Sequence, residues 1–336
     1  MKKIMLSGGR PTGKLHLGHY VGAFKTFADL QENYNNYFII SDIHMLTTKS
    51  TKKEIDTILE NSLNMIIDAI GMGIDPEKTT FYLQSQIPSL SHIYGIFQNY
   101  VKINRVNNTP SLLEMSKHTN QSEVSLGLVA YPVLEAADVF SLKADVVPVG
   151  KDNIDHIKIT QEIISTLNSE FCSNFKVPDY LTTENNHIVG TDGSNKMSKS
   201  LDNAIYVRDS REEVERKVMS MKWVNKGEEG INVVLEYIKI FDPELYETII
   251  YPAYLRKKLP EEKAKMILIV VLNNILKPMR QRMKPYLEDK NLTFDLLVKG
   301  TARVKEIADE SMLELRKAIG LVDLNEKQLQ YTRKVK

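Results

Sequence analysis

The chain has 336 residues, and at roughly 100 to 200 residues per domain this length predicts about two domains. Its 44 Lys and Arg nearly balance its 43 Asp and Glu, which excludes a positive electrostatic field over the whole molecule that would attract nucleic acid. Its single cysteine, Cys172, excludes intrachain disulfides and all-cysteine zinc or iron–sulfur sites, and it indicates a reducing, cytoplasmic location. No apolar run approaches the roughly 20 residues of a membrane span, so no membrane partner is expected.

Short apolar runs alternate with helical patterns over the first half of the chain. The runs are residues 3–7, 37–41, 80–85 and 144–150. They lack alternation between apolar and polar positions, which is typical of strands buried on both faces. Helical spacing appears at residues 19–33, 52–74 and 153–167. This order predicts an α/β fold with a doubly wound parallel sheet, whose ligands bind beyond the carboxyl ends of the strands.

Beyond about residue 205 the pattern is helical throughout. Asp209 and Glu212 resemble a capping box that opens a helix. Longer helical patterns cover residues 230–241, 261–283 and 293–319. We expect Pro278 to kink or divide the second of these. The third carries an apolar stripe from Val304 to Ile319, which predicts packing against a core.

Two histidines mark the start of the first helix. His16 and His19 flank Leu17-Gly18, and because a helix amino end attracts anions, the pair can face a phosphate chain. A capping role and a metal site are the alternatives. No further cluster of His, Cys or carboxylates stands at metal-ligand spacing, so we expect no metal site here.

A second candidate phosphate segment is Lys196-Met197-Ser198-Lys199-Ser200, which follows the polar residues 191–195. Two lysines flanking a serine on a flexible loop can close over the β and γ phosphates and neutralise charge on departing pyrophosphate. The alternative is a solvated basic turn.

Asp138 is the third candidate. It lies in the mostly apolar run 131–142, where burying its carboxylate requires a hydrogen-bond donor. A helix cap or an ion pair is the alternative to a ligand contact.

Four segments, residues 11–23, 131–138, 147–156 and 196–200, occur in this order. Together they resemble the bacterial tryptophanyl-tRNA synthetases, a class I aminoacyl-tRNA synthetase family. The resemblance extends over about residues 1–205 and more loosely over the helical remainder.

The resemblance implies ATP-dependent attachment of L-tryptophan to tRNA(Trp) through tryptophanyl-adenylate, with release of AMP and pyrophosphate. It implies a Rossmann-like catalytic domain over residues 1–205, a helical anticodon-binding domain over residues 206–325 and a basic tail over residues 326–336. Mg²⁺ would arrive on the nucleotide phosphates, and the enzyme would work as a homodimer.

The resemblance also implies site residues. The catalytic residues are His16, His19, Lys196 and Lys199. The ATP-binding residues are Arg10, Pro11, Thr12, Gly18, His19, Gly150, Lys151, Asp152, Ile188, Lys196, Met197, Ser198, Lys199 and Ser200. Asp138 would accept a hydrogen bond from the indole N–H, with Asn153 and His44 as further tryptophan-binding residues.

The chain departs from the family pattern at several positions. Lys151 stands where an acidic residue is usual and Asn153 where glutamine is usual. Glu135 replaces a Met or Gln near the indole, and we expect it to point away from the pocket. Arg10 replaces a glutamine and would add a charge to the phosphates.

Four rival functions are weaker. The tyrosyl-tRNA synthetases share both phosphate segments, but Ala136-Ala137-Asp138 and the loop 150–153 favour tryptophan. A small-molecule nucleotidyltransferase has no evident use for a long helical C-terminal region. A non-catalytic paralogue that binds tRNA or nucleotide is disfavoured by the intact histidines and lysines. A nicotinamide dehydrogenase requires Gly-x-Gly-x-x-Gly, into which Gly8-Gly9 does not continue.

Overall fold

The computed structural model describes residues 2–110, 112, 124–182, 188–194, 197–198, 201–322 and 324, apart from the side chain of Asp152. Within these residues the strands form one parallel sheet in the order β3-β2-β1-β4-β5. The strands are β1 (Ile4–Gly9), β2 (Asn35–Ile40), β3 (Thr79–Leu83), β4 (Val146–Val149) and β5 (Asp179–Thr182). This order is the doubly wound arrangement, with its switch point between β1 and β4, so the predicted fold class is confirmed.

The sheet is buried on both faces, because consecutive strand residues enter different apolar clusters. Met5, Phe38 and Phe81 belong to one cluster. Leu6 and Tyr82 belong to the other. This explains why the strand segments show no alternation of apolar and polar residues.

Helices cover both faces of the sheet in the first half of the chain. They are α1 (Leu17–His19), α2 (Lys25–Leu30), α3 (Asp42–Leu46), α4 (Lys52–Ile55), α5 (Ile58–Gly71), α6 (Pro88–Phe97), α7 (Ile103–Asn107), α8 (Leu126–Ser141) and α9 (Ile154–Glu170). A π-helical turn, Tyr20–Phe24, joins α1 to α2. A 3₁₀ turn, Lys151–Asn153, precedes α9.

The second half of the described chain is helical, as predicted. Its helices are α10 (Arg211–Met219), α11 (Val233–Phe241), α12 (Pro243–Leu245), α13 (Tyr251–Leu255), α14 (Glu261–Glu288) and α15 (Lys290–Ala318). The predicted apolar stripe of α15 is confirmed, because Val304, Ala308 and Leu315 are buried in the second apolar cluster. Arg282 on α14 donates to the carbonyl of Gly71 at the end of α5, so this region packs directly on the α/β part.

One local prediction is wrong, and a second is wrong in one of its two alternatives. The capping box of α10 uses Ser210 and Glu213. Asp209 is unavailable as a cap because its carboxylate accepts from the Tyr206 N–H and from Lys217. Pro278 does not divide α14, which runs on to Glu288. A proline removes only one N–H from the ladder, and side chains on both sides of it are buried in the core.

The strand β5 was missed by the sequence patterns. It is a short edge strand whose residues are partly or fully exposed, so its sequence carries no buried apolar run. Among the described helices, none has the length and apolar character needed to cross a membrane.

Candidate active site

A cavity of about 600 Å³ opens at the carboxyl ends of β1 and β4, beside α8. Its lining comprises Leu6, Ser7, Gly8, Gly9, Arg10, Ala23, Ile39, Ser41, His44, Thr47, Leu128, Tyr131, Glu135, Asp138, Val139, Val147, Pro148, Val149, Gly150, Asn153 and His156. Parallel sheets of this order bind ligands at such a switch point. The cavity is therefore the candidate active site.

His16 and His19 form the amino end of α1. His16 is extended at the cap position, and its backbone N–H donates to Nδ1 of His19 at 3.1 Å. The two rings lie 3.8 Å apart between centroids. Because Nδ1 of His19 is an acceptor here, the proton of the neutral ring is on Nε2. His19 can thus serve as a hydrogen-bond donor toward an anion without carrying a full charge.

Gly18 leaves room for the ring of His16. A Cβ at Gly18 would come within 2.9 Å of two atoms of the His16 ring. Any larger residue would displace that ring, so the glycine supports the histidine geometry.

The segment after the predicted lysine loop pairs with the histidine segment. The Leu17 N–H donates to the carbonyl of Ile205 at 2.9 Å, and the Val207 N–H donates to that of Leu15 at 3.1 Å. His16 forms an antiparallel bridge with Tyr206. Backbone pairing therefore joins the histidine segment to residues 205–207, which follow the lysine loop.

Hydrogen bonds also hold the described part of the lysine loop. The Met197 N–H donates to the carbonyl of Ile188 at 2.9 Å. The Ser198 N–H donates to Oδ1 of the buried Asn203 at 2.7 Å. The predicted residues Lys196, Lys199 and Ser200 lie outside the described residues, as does the side chain of Asp152.

Asp138 is buried in the wall of the cavity with two donors. Nε2 of His44 lies 3.0 Å from Oδ2. The Gln84 amide donates to both carboxylate oxygens at 2.9 and 3.0 Å, while its own oxygen accepts from the N–H groups of Ile43 and His44. Burial raises the pKa of Asp138, although the bonds to His44 and Gln84 oppose that rise. The donors that a buried carboxylate requires are thus present.

Glu135 lines the cavity one helical turn before Asp138, so the expectation that it points away is wrong. Nδ1 of His156 lies 2.9 Å from its Oε2, and Nε2 of the same ring lies 2.8 Å from the Tyr131 hydroxyl. Burial would raise the pKa of Glu135, but the charge of and hydrogen bond from His156 outweigh it, and the pKa is lowered. The buried histidine on α9 is what turns Glu135 inward.

The remaining predicted residues divide into two groups. Arg10, Gly150 and Asn153 line the cavity together with His44 and Asp138. The predicted residues described outside this lining are Pro11, Thr12, His16, Gly18, His19, Lys151, Ile188, Met197 and Ser198. The side chains of Ile188 and Met197 lie in the apolar core. Within the described ranges, no cluster of three or more His, Cys, Asp or Glu residues has a geometry that could hold a metal ion.

The family described as tRNA synthetases class I (W and Y) matches residues 2–281. The chain belongs to this family. A tryptophan–tRNA ligase of Borreliella burgdorferi is 38% identical over 331 residues, which cover 95% of this chain and 94% of the relative. One of Chlamydia caviae is 37% identical over 332 residues, covering 95% and 96% of the two chains.

Solved structures agree with the fold. The tryptophanyl-tRNA synthetase of Campylobacter jejuni, crystallised with ADP and tryptophan, superposes with a TM-score of 0.80 at 29% identity, covering 95% of this chain and 100% of that one. The fold of this chain is therefore that of a class I synthetase.

Sequence reasoning gave no role to two residues that organise this site, Gln84 and His156. Gln84 directly follows β3, and its position at a strand end was the only signal available. His156 stands within one of the family-like segments, but its partners Tyr131 and Glu135 come from another helix. Only the packing of α8 against α9 brings these three side chains together.

Proposed function

We propose that this chain attaches L-tryptophan to tRNA(Trp) in two steps, through tryptophanyl-adenylate, with release of pyrophosphate and then AMP. The observation that carries the proposal is the buried carboxylate of Asp138 in the wall of a cavity at the switch point of a class I synthetase sheet. The names of the bacterial relatives and the ADP and tryptophan bound by the C. jejuni protein support it.

In the first step, the carboxylate of tryptophan attacks the α-phosphorus of ATP in line. It is already a nucleophile, so no general base is needed, and the protein contributes positioning and charge stabilisation. The amino end of α1 and the donor on His19 Nε2 suit the triphosphate. Lys196 and Lys199 are proposed to neutralise the departing pyrophosphate. Mg²⁺ would enter with the nucleotide, as part of the substrate MgATP.

Asp138 is proposed to select the amino acid. A carboxylate offers about four lone-pair sites. His44 and the Gln84 amide occupy up to three of them, which leaves an acceptor position for the indole N–H. Phenylalanine lacks that donor and would leave the buried acceptor unsatisfied. Asn153 and His44 are the further proposed tryptophan contacts, and Gly150 would let the ribose approach.

The wider organisation is also a proposal. Residues 1–205 would form the catalytic domain, residues 206–325 the anticodon-binding domain and residues 326–336 a basic tail. The enzyme would act as a homodimer, which sedimentation can measure, and in the cytoplasm, where the exposed thiol of Cys172 would remain reduced.

The decisive experiment is exchange of labelled pyrophosphate into ATP, measured with tryptophan, with tyrosine and with no amino acid. We expect exchange that depends on tryptophan alone. Exchange with tyrosine only would overturn the specificity, and no exchange with any amino acid would favour a paralogue that binds without catalysis. Lys196→Ala should slow exchange by several orders of magnitude while the melting temperature stays within about 2 °C of the parent.

A further inference from the structure

A buried carboxylate on α5 connects the histidine segment to residues 205–208, which follow the lysine loop. Asp68 is 1% exposed. Its Oδ2 accepts from the backbone N–H of Leu15 at 3.2 Å, and its Oδ1 accepts from Nε of Arg208. Leu15 directly precedes His16, and Arg208 belongs to the segment that follows the lysine loop. One side chain therefore contacts both segments.

The guanidinium of Arg208 is held along its whole width. Its two terminal nitrogens donate to Asn64, to Oδ1 at 3.0 Å and to the backbone carbonyl at 2.8 Å. Asn64 lies one helical turn before Asp68 on α5. A planar fork with donors on three nitrogens matches this arrangement, whereas the point charge of a lysine does not.

The residues that this pair holds are those of the backbone pairing around His16. Leu15 accepts from the Val207 N–H, and Ile205 accepts from the Leu17 N–H. Asp68 thus fixes one side of the pairing through Leu15 and the other side through Arg208. Neither Asp68 nor Arg208 lines the cavity.

We propose that the Asp68–Arg208 pair positions the segment of His16 and His19 against residues 205–208, and so orients the two histidines for attack on ATP. The proposal rests on the proposed synthetase function, and both residues act through others as positioning residues. Because a displacement of about 1 Å far from the reacting atoms can slow catalysis about 100-fold, loosening the pair should lower the rate of activation more than it weakens tryptophan binding.

The test compares Asp68→Asn and Arg208→Lys with Asp145→Asn as a matched control. Asp145 has the same kind of partners, since it accepts from the Ile4 N–H at 2.7 Å and pairs with Lys176 at 2.8 Å. Asp145 lies beside the amino end of β1, whereas the candidate active site lies at the carboxyl end of that strand. Pyrophosphate exchange gives kcat and the KM for tryptophan, and thermal unfolding gives the melting temperature of each variant.

We expect Asp68→Asn and Arg208→Lys each to lower kcat about 10- to 100-fold, with the KM for tryptophan changing less than about 3-fold. Asp145→Asn should leave kcat within about 3-fold of the parent. The double variant should lose little more than either single one, because both changes break the same pair.

An unchanged kcat in folded Arg208→Lys overturns the proposal, as does an equal loss in Asp145→Asn or a KM for tryptophan that rises in step with the fall in kcat. Arg208→Lys keeps the positive charge and decides the question if Asp68→Asn does not fold. Absence of exchange in the parent chain would refute the synthetase function itself, so the two failures are distinguishable.

Discussion

Asp138 and Glu135 lie one helical turn apart on α8, and their surroundings shift their pKa values in opposite directions. Burial raises the pKa of Asp138 more than its donors lower it. His156 lowers the pKa of Glu135 in spite of its burial. Burial therefore favours the neutral form of Asp138, whereas His156 favours the charged form of Glu135 to which it is hydrogen-bonded.

At this scale we expect Asp138→Ala to lower kcat/KM for tryptophan about 10- to 100-fold, because a hydrogen bond to a charged group contributes about 1.5 to 3 kcal/mol. The KM for ATP should change less than about 3-fold, since the partners of Asp138 are His44 and Gln84 and not the phosphate segments. Steady-state pyrophosphate exchange measures both constants. Equal losses toward the two substrates would mean that Asp138 is structural.

The raised pKa of Asp138 also predicts a pH dependence. The ionised carboxylate is the stronger acceptor for the indole N–H, and a raised pKa keeps the group protonated up to a higher pH. The acid limb of kcat/KM for tryptophan should accordingly lie at a higher pH than an ordinary aspartate produces. Asp138→Asn should abolish this limb, and Glu135→Gln should move it to a lower pH, because the negative charge of Glu135 is one of the causes that raise the pKa of Asp138. An acid limb that persists in folded Asp138→Asn would show that another group produces it.

At the scale of elements, α15 lies directly against the backbone of the strand β3. A Cβ at Gly300 would come within 2.0 Å of the carbonyl oxygen of Phe81 on β3. Thr301 next to it accepts from the Leu83 N–H through its hydroxyl at 3.1 Å. The glycine thus permits the close approach by which α15 covers the edge strand β3 of the sheet.

Gly300→Ala should therefore destabilise the fold by about 1 to 3 kcal/mol, because the helix must move off the strand. Gly95→Ala on α6 is the matched control, since a Cβ there meets nothing within 4 Å. In an open helical position, alanine is favoured over glycine by up to about 1 kcal/mol. Denaturant unfolding should show that the free energy of unfolding falls in Gly300→Ala and rises in Gly95→Ala. A Gly300→Ala variant that is more stable than the parent would show that α15 does not lie in close contact with the backbone of β3.

At the scale of the molecule, one apolar cluster joins the sheet to the C-terminal helices. It includes Met5 and Phe38 from the strands together with Leu268, Leu272 and Met279 from α14. Elsewhere a polar contact joins the two halves, because the Ser311 hydroxyl on α15 donates to the carbonyl of Ser141 on α8. The two halves of the described chain share a core.

We therefore expect a single cooperative thermal transition, although chains of this length commonly unfold in stages. Scanning calorimetry should give a ratio of van't Hoff to calorimetric enthalpy of about 1. Met279→Ala should lower the temperature of the whole transition without splitting it. Two separate transitions in the parent chain would indicate that each half folds alone.

The sequence by itself determined the elements whose signals are local. Apolar runs and helical spacing located β1 to β4 and the helices α5, α9, α11, α14 and α15, and the spacing of His16 and His19 marked the start of α1. Local patterns suffice there because burial on both faces and helix capping are decided by residues close in the chain.

Tertiary structure alone decided the rest. The edge strand β5, the inward turn of Glu135, the pairing of Gln84 with Asp138 and the contact of Asp68 with Arg208 all join residues that are distant in sequence. A buried polar group must find its partner wherever the fold brings one, because leaving it unsatisfied costs about 1 to 3 kcal/mol. Which partner that is depends on how whole elements pack, and no local pattern contains that information.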